Sequence, residues 1–379
     1  MKKIYLDHAS STPLSKEVIS AMKDTEQIFG NPSAIHEEGR KAKEVLETAR
    51  KKCANVLQVK SDEILFTSSA TESVNLAIRG AVKARKKIGN HIITTQIEHK
   101  SVLNTLKHLE KKGCKVTYLP VDEYGLVSIQ DIKKAITKKT ILVSIMYANN
   151  EIGTIEPIAE IGKLLKNYPN VIFHTDAAQA GGALSLGIEK LGVDLLSLNG
   201  SKIYGPKGTG LLLVKNNITL KPIQFGGGQE NGLRSGTENV SGAVGLSVAL
   251  ENAELLRKKE AKRLTELRNY AINEILKIKN ATLNGHSKKR LPNNINISFK
   301  DIDGEKLVIY LDDAGISAST GSACTEKSLE SSHVITALGK NKNTALFAVR
   351  FTLGRETTKK ELDTLIKILK NTIKKIQSL

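Results

Sequence analysis

The residue whose type and position first point to chemistry is a lysine that follows a short apolar run. Val193 to Leu198 reads as a buried strand, broken by Asp194, and it stops at the small polar turn Asn199-Gly200-Ser201-Lys202. Gly205, Pro206, Gly208 and Gly210 then lead into a second apolar run, Leu211 to Val214. An amine held at the end of a buried strand is partly desolvated. Desolvation lowers its pKa and makes it available as a nucleophile for Schiff-base chemistry. In a chain with 57 Lys and Arg, an ordinary surface-loop lysine is the plain alternative.

What lies upstream changes that balance. Asp176 closes the run Val171–Thr175, and a carboxylate at a strand's carboxyl end is placed to hold a cationic ring nitrogen. At ~4 Å and an effective dielectric of about 20 the gross attraction is about 4 kcal/mol. That equals roughly three pKa units, enough to keep a pyridine nitrogen protonated at neutral pH. Taken alone, Asp176 could equally cap a helix. The segment Phe66-Thr67-Ser68-Ser69-Ala70-Thr71-Glu72-Ser73 is a strand end, a row of hydroxyls and a helix start. Ser69 and Glu72 fit a capping box, and the same geometry offers free N–H groups and a helix dipole to a phosphate. His99, in Glu98-His99-Lys100-Ser101, could cover an aromatic cofactor face and shuttle a proton, or it could be structural. Gln179, Asn149 and Asn150 add neutral polar groups. No GxGxxG opens a helix and no GxxxxGK[ST] occurs, so dinucleotide and P-loop readings are weak. A lysine nucleophile, an upstream aspartate and a helix-borne phosphate seat form the set that pyridoxal phosphate requires.

The elements that must position these groups follow from the apolar pattern. Residues 1–14 read as an extended arm closed by a proline turn, and Ser15 as the N-cap of a helix to about Phe29. A second helix spans about Ile35 to Leu57. Strand-like runs are Glu63–Thr67, His91–Thr95, Lys115–Leu119, Thr140–Met146, Val171–Thr175, Asp194–Leu198 and Leu211–Val214, with helical stretches at 71–87, 100–112, 128–137 and 157–167. This β-α repetition predicts an α/β fold: a mostly parallel central sheet covered by helices, with ligands outside the strands' carboxyl ends. After Gly242 a long amphipathic stretch without proline runs to about Lys279. The segments Asn293–Phe299, Glu305–Asp313, Thr344–Phe351 and Lys359–Ser378 then predict a smaller α+β unit. The expected division is a large domain over 15–255, and a small one formed by 1–14 and 256–379.

Composition excludes several classes. The chain has 379 residues, 40% apolar and 25% charged, the profile of a soluble globular protein. No apolar run approaches a membrane span, and Asp7 comes too early for a signal-peptide core. Cys53, Cys114 and Cys324 are far apart and lack CxxC spacing, which argues for reduced thiols in the cytoplasm and against a zinc site. The net charge of +18 would attract acidic partners. Aromatics at 4% are too few for base-stacking platforms, so direct nucleic-acid binding is not expected and the charge reads as a solvated, lysine-biased surface.

The motifs in order resemble the cysteine desulfurases of the NifS/IscS type, fold-type I pyridoxal-phosphate enzymes of the class V aminotransferase family. The resemblance covers nearly the whole chain: Tyr5-Leu6-Asp7-His8-Ala9, Gly30-Asn31-Pro32-Ser33, Ala70-Thr71-Glu72-Ser73, Glu98-His99-Lys100 and Asn149-Asn150-Glu151-Ile152-Gly153. It continues through His174-Thr175-Asp176-Ala177-Ala178-Gln179, Lys202–Gly208, Arg234-Ser235-Gly236-Thr237, Gly321-Ser322-Ala323-Cys324 and Val349-Arg350-Phe351. It implies that Lys202 bonds the cofactor and Asp176 pairs with its ring nitrogen. Gln179 and Asn150 would contact the phenolic oxygen and substrate region, and His99 would stack on the ring and move protons. Ala70 and Thr71 would hold the phosphate, joined by Thr237 from a second subunit of a homodimer. Arg350 would clamp the carboxylate of L-cysteine, helped by Asn31. Cys324, in a small polar loop at about 318–333, would accept the sulfur as a persulfide and pass it to an iron–sulfur scaffold or a tRNA-thiolation protein, leaving L-alanine.

Two positions depart from the family pattern. Asn199-Gly200-Ser201 stands where Ser-Gly-His is usual, so Ser201 replaces a histidine that helps hold the phosphate. Ser69 replaces a glycine beside the same phosphate. The rivals to the main reading are a related lyase or aminotransferase, which would not need the loop cysteine, and a catalytically retired basic homologue that acts as a binding protein.

Overall fold

The computed structural model describes residues 3–320, 331–340 and 342–378. In chain order the first half comprises β1 (Ile4–Tyr5), α1 (Lys16–Lys23), α2 (Glu37–Leu57), β2 (Ile64–Thr67), α3 (Ala70–Arg85), β3 (His91–Thr95), α4 (Lys100–Glu110), β4 (Lys115–Leu119), α5 (Ile129–Ala135) and β5 (Thr140–Ser144). Then come α6 (Ile158–Leu165), β6 (Ile172–Asp176), α7 (Ile188–Leu191), β7 (Leu195–Asn199), β8 (Gly210–Val214) and the long α8 (Val240–Ile275). The C-terminal part holds β9 (Ala281–Leu283), β10 (Asn294–Phe299), α9 (Gly304–Asp313), β11 (Ile316–Ser317), α10 (His333–Ala337), α11 (Lys342–Leu346), β12 (Ala348–Thr352) and α12 (Lys359–Gln377).

Seven strands form one sheet in the order β2-β8-β7-β6-β5-β3-β4. The pairs β7/β6, β6/β5, β5/β3 and β3/β4 are parallel, and β8 is antiparallel to both its neighbours. All the strands except β8 therefore point the same way, as the β-α alternation predicts. Both faces of the central strands are covered, so β2, β3, β5, β6 and β8 are buried along their whole length, and the polar residues among them, such as Thr94, Ser144 and His174, are buried with the apolar ones. Successive side chains serve opposite faces: Ile93, Val143, Phe173 and Leu196 join α2, α6 and α8 in one core, while Ile92, Leu142, Ile172 and Leu195 join α3 and α4 in another.

A separate core unites the far half of α8 (Leu264, Ala271, Ile275) with β10, β12, α9 and α12. It also takes in Ile4 and Leu6 of the N-terminal arm. That arm reads as merely extended in the sequence, yet β1 pairs in parallel with β11. At 1.5 Å per residue α8 is about 54 Å long, and residue 255 lies within it. The first helix ends at Lys23, short of Phe29. Thr25 donates its hydroxyl to Met22 O at 2.6 Å, a side-chain bond that competes with helical propagation, and Phe29 is left exposed.

Candidate active site

Six strands run in one direction, so their carboxyl ends line one edge of the sheet, and Ala70, Thr71, His99, Asn150, Asp176, Gln179 and Lys202 lie at or just beyond the ends of β2, β3, β5, β6 and β7. Parallel sheets bind ligands at this edge because chain reversals there leave polar groups without a covering element.

Lys202 closes a single 3₁₀ turn, Gly200–Lys202, directly after β7. Only glycine fits at 200, since a Cβ would lie 2.3 Å from Thr209 Oγ1. The N-terminal arm grips the turn. Thr12 donates to Ser201 O through its N–H (2.9 Å) and its hydroxyl (3.0 Å), and its Oγ1 accepts from Tyr204 N–H at 2.8 Å. Lys202 Nζ donates to Ser10 O. Asp176 ends β6, buried, with Oδ1 accepting from Ala178 N–H at 3.0 Å. Burial raises its pKa, opposed by His99, by the Ala178 N–H and by Lys202.

His99 is the N-cap of α4. Its Nδ1 accepts from Ser101 N–H at 3.1 Å, so the ring hydrogen of the neutral form sits on Nε2. Burial lowers its pKa, the nearby Asp176 pulls it up, and Lys202 and Lys100 push it down. Glu98, whose role the sequence reading missed, fixes this corner. Its Oε1 accepts from Thr95 Oγ1 (2.8 Å) and from Met146 N–H (2.9 Å), tying the exits of β3 and β5 together. Burial pushes its carboxyl up to about 8. Asn149 is likewise structural: its Oδ1 accepts from Glu151 and Ile152 N–H and its Nδ2 donates to Ile97 O.

Ser69 caps α3 by accepting from Glu72 N–H at 3.2 Å. The expected reciprocal bond is shifted by one residue: Glu72 Oε2 accepts from Ser68 N–H (2.6 Å), and Glu72 Oε1 accepts from Arg234 Nε at 2.9 Å. The capping box therefore becomes a brace to a distant segment. Arg350, on β12, is buried and held in place by three acceptors: Asp7 Oδ1 (2.8 Å), Ser10 Oγ (2.9 Å) and Asn150 O (3.0 Å). Its Nε has no hydrogen-bond partner among the described residues. The Asp7 and Ser10 contacts were not legible in the sequence, although the arm's motif was.

A cavity of about 250 Å³ joins these groups. Lys202, Asp176, His99 and Arg350 line it, as do Ala70 and Thr71 at the start of α3, and Asn150, Gln179 and Asn199 complete the wall. Gln179 Nε2 donates to Ala9 O at 3.0 Å, and Asn199 Oδ1 accepts from both Ser201 N–H and Ser201 Oγ at 3.1 Å. Ser201 is thus turned to Asn199 and does not line the cavity. Thr237 lines a different cavity, of about 180 Å³, beside Ser68 and Arg234. Asn31 is exposed, its Oδ1 accepting from Ser33 N–H at 2.9 Å. Cys324 lies outside the described residues.

The donor set fits pyridoxal phosphate. A buried carboxylate, a lysine, a neutral imidazole and a helix N-terminus face one space, together with a buried guanidinium that keeps an N–H undonated among the described residues. The polar ends of the coenzyme, a ring nitrogen, an aldehyde and a phosphate, each find a complementary group there.

The family model for aminotransferase class-V matches residues 4–365. A "Cysteine desulfurase IscS" from Dictyoglomus turgidum is 49% identical over 380 aligned positions, covering 100% of this chain and 96% of that protein. One from Methanosarcina thermophila is 46% identical, covering 100% and 94%. Among solved structures, a "NIFS-LIKE PROTEIN" superposes with a TM-score of 0.92 at 36% identity, covering 98% of this chain and 99% of that one.

Proposed function

This chain belongs to the aminotransferase class-V family and is a pyridoxal-phosphate-dependent cysteine desulfurase; we propose that it works through Lys202, Asp176, His99 and Arg350 around one cavity, with Cys324 as the sulfur acceptor. The observation that carries this reading is the convergence of Lys202 and Asp176 on the same cavity as the N-terminus of α3 and Arg350.

Bound pyridoxal phosphate supplies an electron sink for negative charge developing at the substrate's Cα. Lys202 Nζ would hold the coenzyme by its aldehyde carbon until the substrate's amine takes its place, and the freed amine would serve as base for the Cα proton. The Asp176 carboxylate would keep a proton on the ring nitrogen, an ion pair favoured by the same burial that penalises the carboxylate alone. The first turn of α3, with Ala70 and Thr71 at the cavity wall, would take the phosphate. His99 would cover the ring and lend or receive a proton at Nε2, and Gln179, Asn150 and Asn199 would orient the coenzyme's polar edge. Arg350, already fixed by Asp7 and Ser10, would bind the carboxylate of L-cysteine. The Cys324 thiolate would then attack the substrate's sulfur. The new S–S bond forms as the substrate's C–S bond breaks; the carbon fragment keeps the bonding pair, takes one proton at Cβ, recovers at Cα the proton that Lys202 removed, and leaves as L-alanine. The persulfide on Cys324 would carry the sulfur to an iron–sulfur scaffold or a tRNA-thiolation protein.

Thr237 stands apart from the cavity of its own chain, and the reading assigns it to the phosphate of a partner subunit in a homodimer, with Asn31 aiding the substrate's carboxylate. The described cysteines, Cys53 and Cys114, are both free thiols, which suits the reducing cytoplasm.

The test is spectroscopic. Purified protein given coenzyme is expected to show an absorbance band near the visible–ultraviolet border, bleached by borohydride, and the reduced adduct should map to the peptide that holds Lys202. A protein that stays colourless in excess coenzyme overturns the reading. For the substrate clamp, Arg350→Lys is expected to raise KM for L-cysteine. A lost charge-assisted fork contributes about 1.5–3 kcal/mol, or roughly 10- to 150-fold. The coenzyme band should be unchanged, so initial rates and absorbance on one sample check it.

A further inference from the structure

Outside the cavity lies a buried ion pair that no step above uses. Arg50 of α2 meets Glu230 in a fork: Nη1 donates to Oε2 and Nη2 to Oε1, each at 2.8 Å, with the side chains 9% and 1% exposed. Phe66 N–H donates to the same Oε2 at 2.8 Å. Phe66 lies on β2, an edge strand paired only with β8, so the carboxylate satisfies a donor that the sheet leaves open. Every nitrogen of Arg50 is engaged, Nη1 donating also to Ile64 O at 2.7 Å and Nε to Glu47 Oε1 at 3.1 Å.

Glu230 sits in the glycine-rich segment 226–236, and the backbone there shows what the pair must hold. Glu230 and Asn231 adopt φ of +48° and +58°; asparagine tolerates this left-handed region, but a glutamate is held there by its surroundings. The segment is cross-braced internally, with Gly236 N–H donating to Gln229 Oε1 at 2.9 Å and Gln224 Nε2 to Ser235 O at 2.9 Å. It is pinned a second time by Arg234 on Glu72 in the first turn of α3. Asn239 then caps α8 by accepting from Gly242 N–H at 2.9 Å. Thr237 is therefore suspended between Arg234 and Asn239, in a stretch whose other anchor is Glu230.

We propose that Glu230, acting through Arg50 and the Phe66 N–H, is a positioning residue that locks this segment so that Thr237 is presented to the coenzyme phosphate of a partner subunit. The proposal rests on the assignment of Thr237 given above. It also links two phosphate seats, because the α3 end that offers Ala70 and Thr71 to its own cavity is the one that braces Arg234.

The experiment compares two aldehydes on the full chain, pyridoxal 5'-phosphate and pyridoxal, whose binding is followed by absorbance titration. Glu230→Gln breaks the fork, and loss of an interaction to a charged group corresponds to about tenfold in affinity. The expected result is about a tenfold weaker affinity for pyridoxal 5'-phosphate with pyridoxal affinity unchanged. Thr237→Ala should show the same selectivity. Glu230→Asp keeps a charge opposite Arg50, guards against a variant that fails to fold, and should lose less than Glu230→Gln. If the glutamate variants weaken both aldehydes equally, or neither, while Thr237→Ala weakens only the phosphorylated one, the positioning role is overturned and the Thr237 assignment stands. If Thr237→Ala leaves the two affinities in their original ratio, the Thr237 assignment fails and takes the positioning role with it.

Discussion

Lys202→Ala is expected to abolish alanine formation and covalent coenzyme attachment together while leaving the fold intact. The turn at 200–202 is held by its backbone: Ser201 O accepts from Thr12 and Gly205 N–H donates to Gly200 O at 2.9 Å. Neither bond involves the Lys202 side chain, so its removal deletes a function and leaves the scaffold. A positioned base alone contributes up to about 10⁴-fold, and the same amine also anchors the coenzyme, so the loss should exceed that figure. Alanine release, the borohydride-fixed band and a thermal melt on one preparation separate the outcomes. An ordinary surface lysine would change none of the three, and substantial retained turnover would remove Lys202 from the centre of the site.

The legible part of this protein is the part governed by short-range pattern. The seven strands of the large sheet fall within two residues of the runs that predict them, because each carries a short core of Val, Ile, Leu or Phe bounded by turn residues, even where Thr, Ser or His takes a buried position. Lys202, Asp176 and His99 are legible for the same reason, since each follows such a run at its carboxyl end. What escapes the sequence is long-range pairing. Arg350 is held by Asp7 and Ser10 from the opposite end of the chain, and Arg50 by Glu230. Charged residues carry no local sign of their partner, and in a chain with 57 Lys and Arg any of them could be solvated. Glu72 shows the intermediate case. It reads correctly as a first-turn acid, but its bonds go to Ser68 and Arg234, because a distant guanidinium competes for the carboxylate. Ser201, expected to face the phosphate, is instead claimed by Asn199.

Cys324→Ser is expected to keep the coenzyme band yet form almost no alanine and no persulfide from L-cysteine. The two described thiols cannot take its place. Cys53 faces the core from α2, fully buried, and burial pushes its pKa up to about 12, so the nucleophilic thiolate is scarce there. Cys114 precedes β4 at the amino end of a strand parallel to its neighbour β3, on the edge of the sheet opposite the cavity. Burial raises its pKa too. A serine hydroxyl is far weaker as a nucleophile towards sulfur, because it is almost entirely protonated at neutral pH. The defect should therefore lie in sulfur removal alone: L-cysteine should still perturb the absorbance of Cys324→Ser, and a Cys53→Ser/Cys114→Ser double variant should turn over like the parent. Alanine formation at the parental rate in Cys324→Ser would exclude Cys324 as the acceptor and favour a lyase, which needs no protein thiol.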